Sequence, residues 1–534
     1  MTVLAAPPRP RAPVSAVPGW VMPVAVVLVA AVAAGHAAAI APHYHVGSFD
    51  DDGHYLAAAQ GLVHGLGYVD TSAPGAPLET LIPPGYPALL APLLWLSGGA
   101  LWPLRALSAV AFVACVPLLD VLMARHGFGR GVRVAALLVF ALNPVGATFA
   151  TMLMPETVFL AILLAVLVAV PRWRGRGWSW AGAVVAVGTP WLLLLKAAGL
   201  AIVAGIVVWL LVQRRWRHAL VTCGTSALLL GPVAVSRLLS PGSLVGDRYA
   251  SDYGDGGHPL DAIWHYIVNA IPDTIIPTRS LNVANGPVAD AGLLVLHDSV
   301  TPLVVIGFVA WLWRRRDASL PIVVLYLAET LPFPYINERR VVLLLPLVVA
   351  WYAIGWQTVG RVVMVALARR RDVGWRPVAA VLPALLVVPA LAAQLDRDYL
   401  YGFGVSSSQP RNSGYVAALQ RVTPAGWSVA TSYRWSISLF TGRTATNEVH
   451  FAGCAGAGTT AYAEQVHRAL QRRHVAAVLT AALNRPGQVD SPCLQNLLSE
   501  VPWAVPVFHG QDLSTVFALV GPGTPRPHYP KEIP

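Results

Sequence analysis

The hydrophobic positions of this chain are grouped into long runs, and polar residues are largely confined to the segments between them. Runs of this kind approach the roughly 20 apolar residues that an α-helix needs to cross a bilayer core of about 30 Å. They fall at 20–42, 103–124, 131–152, 155–171, 178–193, 194–213, 217–238, 300–313, 318–334, 341–358 and 377–394, and so predict eleven transmembrane helices. The first run is longer than a secretory h-region and many more follow it, so it reads as a retained span. The run at 83–100 opens Pro83-Pro84-Gly85 and contains Pro87 and Pro92. Proline interrupts helical hydrogen bonding, so this stretch is expected to form an interfacial or re-entrant helix. Residues 1–19 are polar and Pro-rich, and are expected to be a disordered cytoplasmic tail.

Beyond residue 394 the pattern changes. Residues 395–534 are less apolar, and the short buried-type runs at 428–431 and 475–481 read as strands. Helical periodicity lies near 433–440 and 459–473, and a hairpin-like stretch covers 502–520. The expectation is a small α/β domain at 395–534 following a helical membrane domain at 20–394.

Composition agrees with a polytopic membrane protein. Of 534 residues 56% are hydrophobic and 12% charged, with a mean hydropathy of +0.59. Soluble domains carry about 25% charged residues. The net charge of +11 would hint at nucleic acid in a soluble protein. Here the cations punctuate the apolar runs, so membrane orientation explains them better and no nucleic-acid partner is expected. With eleven spans and the N-terminus inside, nineteen arginines fall in inner segments, among them Arg125, Arg130, Arg133, Arg172, Arg174, Arg214, Arg215 and Arg314. Only Arg248, Arg279, Arg339 and Arg340 fall in outer loops. Counting 83–100 as a span would reverse that asymmetry. The predicted topology is therefore N-in and C-out. Lysine occurs only at Lys196 and Lys531, a skew that suggests a GC-rich bacterial genome.

The outer face collects the candidate chemistry. The first outer loop reads SFDDDGHYLAAAQGL at 48–62, with Asp50, Asp51 and Asp52 ahead of an amphipathic helix starting near Gly53. Crowded carboxylates raise one another's pKa, which suits one of them to accept a proton. They also have the oxygen ligands that a divalent cation takes. An Asp-rich helix cap is the open alternative. Glu156, flanked by Met154 and Pro155 at the mouth of two spans, is costly at membrane depth and so a functional candidate, the alternative being an exposed Glu at a helix start. Lys196 in WLLLLKAAGLAIV would need a partner such as a lipid phosphate, unless it snorkels to the interface. Arg339 and Arg340 place positive charge against the topology rule and suit a phosphate, the alternative being an ion pair with Glu338. Trp264, His265, Tyr266 and Asn269 in the outer loop 239–299 are a weak signal for sugar binding. Cys115 and Cys223 read as small apolar filler. Cys454 and Cys493 fall in the outer domain, where a disulfide between them is one of two open readings. No CxxC or HExxH spacing signals a structural metal.

The ordered set resembles the GT-C membrane glycosyltransferases, most closely the family 39-like group of protein mannosyltransferases and aminoarabinose transferases. The matching residues are Asp51, Asp52, Tyr55 and Ala59, then Pro83, Pro84, Tyr86 and Pro87, then Arg105. Downstream, Met154-Pro155-Glu156 is similar to the family's second outer acid. The Lys196 span is similar to its basic phosphate contact, and Glu338-Arg339-Arg340 with Pro346 to its late Arg…Pro span. The likeness covers roughly residues 20–360. It implies transfer of a hexosyl or pentosyl group from a polyprenyl-phosphate donor to an extracytoplasmic glycan, lipid or protein of the cell envelope. On that alignment Asp51, supported by Asp52 and Glu156, would be the catalytic carboxylate. Asp50, Tyr55, Tyr86, Lys196, Arg339 and Arg340 would bind substrate. The extra Asp50 leaves the register of the base open by one, and any metal role varies within the superfamily. A transporter or flippase, or an envelope-glycan polymerase or ligase, are the alternative readings. Transporters usually show internal repeats, and none is found here.

Overall fold

The computed structural model describes residues 18–47, 50–174, 179–239, 263–276, 287–314, 317–330, 338–368, 414–446, 460–480, 492–510 and 514–520. Among its described residues the membrane region is mainly helical. In chain order its helices are α1 (Val21–Ile40), α2 (Asp50–Val63), α3 (Gly85–Leu96), α4 (Trp102–Arg125), α5 (Arg130–Ala141), α6 (Pro144–Thr151) and α7 (Glu156–Ala169). They continue as α8 (Trp180–Leu195), α9 (Gly199–Val212), α10 (Trp216–Leu239), α11 (Ile271–Ile275), α12 (Pro287–Arg314), α13 (Ser319–Thr330), α14 (Glu338–Val342) and α15 (Leu345–Ala368). The predicted run at 377–394 lies outside the described residues.

Among the described residues four helices are long and apolar enough to cross a bilayer, or five when the bent pair α5 and α6 is taken as one. The pair is bent by 51°, where the sequence pattern gives one run at 131–152. Pro144 cannot continue the α5 ladder, and Asn143 starts a new helix by accepting the Gly146 N–H at 2.8 Å. Helices α7, α8 and α9 have 14, 16 and 14 residues, shorter than the roughly 20 needed to span alone. The stretch at 83–100 is the short helix α3, and Gly85 lets it close on the end of α8. A Cβ there would lie 2.6 Å from the Leu194 carbonyl oxygen. The tightest crossing is α12 over α15. A Cβ on Gly307 would fall 1.7 Å from Trp351 O, so only glycine lets these backbones touch. Small residues at the crossing are how helices associate where lipid removes the hydrophobic drive between them.

The C-terminal part holds α16 (Gly414–Val422), β1 (Ser428–Ala430), α17 (Arg434–Thr441), β2 (Thr444–Thr446), α18 (Thr460–Arg472), β3 (Val475–Thr480), α19 (Pro492–Glu500), β4 (Ala504–His509) and β5 (Thr515–Leu519). The sheet order is β2-β1-β3-β5-β4. β1 lies parallel to β2 and β3, while β5 runs antiparallel to β3 and β4. All of β3 is buried, as expected of a strand covered on both faces. Tyr415, Leu419, Ile437 and Phe440 of α16 and α17 pack with one buried cluster. Val466, Leu470, Leu494 and Leu498 of α18 and α19 pack with another. Helix α17 also packs on α2 of the membrane region, which ties the sheet to the candidate chemistry.

Candidate active site

Helix α2 begins at Asp50 rather than near Gly53, so the three aspartates lie in its first turn and not ahead of it. Acids favour the positive end of a helix. Successive residues point about 100° apart, and Asp51 and Asp52 accordingly meet different surroundings. The Asp50 side chain lies outside the described set.

Asp51 faces a chain of charges. Arg339 Nη1 donates to Asp51 Oδ2 at 2.6 Å, and its Nη2 donates to Glu156 Oε1 at 3.2 Å. Lys196 Nζ donates to the same Glu156 oxygen at 2.7 Å. Two carboxylates and two cations thus alternate across four separate segments. The Asp51 side chain is 40% exposed while Glu156 is fully buried, so Asp51 is the acid that an incoming group can reach. Glu156 Oε2 has no hydrogen-bond partner among the described residues. Burial works to raise the Asp51 carboxyl, but the Arg339 charge and hydrogen bond outweigh it and hold it below its ordinary range. Arg339 itself is raised, its own burial being outweighed by Asp51 and Glu156.

Local structure explains how these groups meet. Pro155, already in the helical region, caps α7, which starts at the buried Glu156, contrary to the alternative of a solvent-facing Glu. Lys196 sits at the extended residue that ends α8 (φ −151°, ψ 144°), in the turn before α9. Arg339 lies on the single turn of α14. The expected alternative for it, a pair with Glu338, falls on a side chain outside the described set. Arg340 does not join the network in the described contacts. Its carbonyl accepts from Tyr326, and its charge acts on Glu329 of α13.

Asp52 takes a different position. It is fully buried, and both its oxygens accept the Gly47 N–H at 2.9 Å. Gly47 has φ +93°, and a Cβ there would come 2.7 Å from the Phe440 ring, so glycine is required. Burial pushes the Asp52 carboxyl well above its usual range despite the amide bonds. Tyr55, one turn after Asp51, is buried with its ring edge-on to Tyr86 at 5.2 Å between centroids. Tyr86 bonds Ser108 Oγ at 3.0 Å. Arg105 acts as a brace, donating to Ala41 O at 2.6 Å and Thr151 O at 3.0 Å. Trp264 is exposed and Tyr266 buried, and Tyr266 lies within electrostatic reach of Tyr326, whose hydroxyl donates to Arg340 O. Cys454 lies outside the described residues, as does the Cys493 side chain, so their pairing is not among the observed features.

One cluster has no counterpart in the sequence reading. Three residues along α2 from Asp51, His54 Nε2 bonds Glu79 Oε2 at 2.5 Å and stacks on Trp435 with centroids 3.9 Å apart. Asp70 Oδ2 accepts from Arg434 at 2.8 Å and from Trp435 Nε1 at 3.1 Å, while Ser72 binds its other oxygen. Glu79 Oε1 accepts the Leu81 and Ile82 amides. Ligand-type atoms of His54, Asp70 and Glu79 lie within 4.8 Å of one another. The protein's own donors already fill those lone pairs, and Arg434 already supplies the positive charge, so the residues fit a latch better than a metal. A cation shared by Asp51 and Glu156 would likewise have to displace Arg339. Gly53 completes the latch, since a Cβ would meet the Trp435 carbonyl carbon at 3.0 Å.

No protein-family model and no curated protein matches this chain. Its fold is similar to that of solved membrane glycosyltransferases of the GT-C superfamily. ArnT from Cupriavidus metallidurans in the apo state superposes with a TM-score of 0.57 at 14% identity, covering 93% of this chain and 99% of that one. The same protein bound to undecaprenyl phosphate gives 0.55 at 13% identity. The oligosaccharyltransferase AglB from Archaeoglobus fulgidus, in complex with an inhibitory peptide and a dolichol-phosphate, gives 0.51 at 14% identity and covers 86% of this chain and 69% of that one.

Proposed function

We propose that this protein is a membrane glycosyltransferase that moves a hexosyl or pentosyl group from a polyprenyl-phosphate donor to the hydroxyl of an envelope glycan, lipid or protein. The observation that carries the reading is the half-exposed Asp51 tied through Arg339 to the buried Glu156 and Lys196. Two solved neighbours hold a polyprenyl or dolichyl phosphate, and the neighbours use lipid-linked donors; both support the class. The finer topology in this proposal is eleven crossings, N-in and C-out, with the α2 face and the sheet domain extracytoplasmic in a bacterial cell membrane.

In the proposed step the acceptor oxygen attacks the anomeric carbon as Asp51 takes its proton. The bond from that carbon to the phosphate oxygen breaks on the opposite face, and polyprenyl phosphate leaves with the electron pair. The configuration inverts. Arg339 and Lys196 would meet the phosphate charge as it grows, electrostatic stabilisation placed where charge develops. Taking Arg339 toward the phosphate also frees Asp51 from the contact that keeps it a weak base. The donor's own binding thereby arms the base.

The test is donor turnover in proteoliposomes, with a panel of polyprenyl-phosphate sugars and an envelope extract as acceptor. Wild type is expected to release polyprenyl phosphate from one donor. Asp51→Asn is expected to bind that donor without turnover. Equal turnover by the variant would remove Asp51 from the role of base.

A further inference from the structure

At the end of the bundle far from Asp51, helices α4, α7 and α9 finish around a cavity of about 190 Å³. Arg105 near the start of α4 braces the candidate active site, and Arg125 at its end lines this cavity. Twenty residues at 1.5 Å each separate them by about 30 Å, the thickness of a hydrocarbon core. The lining includes Arg125, Arg174 and Arg215, with Gln213, His126 and Asp317.

The described lining residues carry three guanidiniums, of Arg125, Arg174 and Arg215, and one carboxylate. That carboxylate, Asp317, pairs with His126 at 3.1 Å and Ser319. Each guanidinium donates to carbonyls near the end of α7: Arg125 to Val168, Arg174 to Pro171, and Arg215 to Val170 and Trp173. These bonds fix the guanidiniums in place, and cations are favoured at a helix C-terminus. They do not neutralise the charge. Partial burial, and after it the charge of the neighbouring Arg174, lower the Arg215 guanidinium from its ordinary value.

We infer that this cavity is a binding site for a phosphate anion, chiefly the phosphodiester headgroup of an anionic membrane lipid. The volume is below the roughly 300 Å³ at which sites for drug-sized molecules begin, so it suits a headgroup and not a whole substrate. Basic pockets between membrane helices take anionic headgroups in this way. The partly buried Trp209 on the wall offers an apolar face beside the guanidiniums. The inference stands independently of sugar transfer.

The test uses full-length delipidated protein in neutral detergent and reads the unfolding midpoint against dioctanoyl phosphatidylglycerol, inorganic phosphate and dioctanoylglycerol. Phosphatidylglycerol is expected to raise the midpoint where dioctanoylglycerol does not. Arg174→Gln should weaken that response about tenfold, the worth of one charge-assisted hydrogen bond. Arg215→Gln should weaken it further. Because Arg215 also holds two carbonyls, the exposed Arg174 keeps the test valid if Arg215→Gln does not fold. Arg339→Gln controls for binding in the Asp51 site and should keep the full response. A matching response to inorganic phosphate assigns the site to free phosphate as well, and a response to the lipid alone assigns it to the headgroup. An equal shift from dioctanoylglycerol, or a response untouched by Arg174→Gln, would overturn the site.

Discussion

Two polar networks meet on helix α2, and they are built for opposite purposes. In one, Asp51 is half-exposed and, among the described residues, bonded to the long side chain of Arg339. In the other, His54, Asp70 and Glu79 are all buried, and backbone amides, Ser72, Trp435 and Arg434 saturate Asp70 and Glu79. Both contain carboxylates close to cations. They differ in whether an oxygen is left for something else. A saturated network holds one arrangement, because exchanging any bond leaves a buried group unpaired. The open network can trade its ion pair for a substrate phosphate at little cost. The latch thus fixes α2 against the sheet domain, and that rigidity positions Asp51.

The comparison predicts separable failures. The largest is Asp51→Asn, expected to lower kcat by about 10²–10⁴-fold, the range for a lost general base, with an unchanged unfolding midpoint. Next, Arg434→Ala leaves Asp70 with a buried charge and should cost about 3–5 kcal/mol of stability, read as a lower unfolding midpoint. Its turnover at low temperature should stay within tenfold of wild type. If Arg434→Ala abolished turnover in a protein with normal stability, the latch would belong to the chemistry instead. Arg339→Gln should cost about 10²–10³ in kcat, the scale of one lost electrostatic donor, with little change in folding.

Smaller effects sharpen the contrast further. Asp51 is held low in the free protein, so it stays ionised well into acid and activity is lost only as pH falls through that lowered value. Once the donor draws Arg339 away, the carboxyl returns toward its ordinary range. The acid limb of kcat should therefore lie at higher pH than that of kcat/KM, since the two report the bound and free protein. Coincident limbs would mean that Arg339 stays on Asp51 throughout. The smallest effect is expected for Asp52→Asn. Burial already raises Asp52 toward its neutral form, so the amide should change turnover less than tenfold. It should also remove the loss of stability that the ionising carboxyl causes as pH rises through its raised value.

Parts of this arrangement were legible in the sequence because the cause was local. A lone Glu156 among apolar residues, and a lysine inside a leucine run, are conspicuous wherever the chain folds. The strands at 428 and 475 announce themselves as short apolar runs. The break at Asn143–Pro144 was also local, yet the long hydrophobic run around it hid the turn. The latch was not legible. His54, Glu79 and Arg434 are ordinary residues in polar segments, and Trp435 reaches Asp70 across 365 positions. Nothing near either residue marks the other.

The sequence alone determined that the chain is a helical membrane protein, because burial of apolar runs in lipid depends on composition more than on partners. It also placed Asp51 and Asp52 close to Tyr55, though ahead of the helix whose first turn they form. Only the tertiary structure decided which aspartate meets Arg339 and which is buried against Gly47. A rotation of about 100° per residue separates their surroundings, and what fills each direction comes from segments such as α14 and α17, nearly 300 residues or more away along the chain.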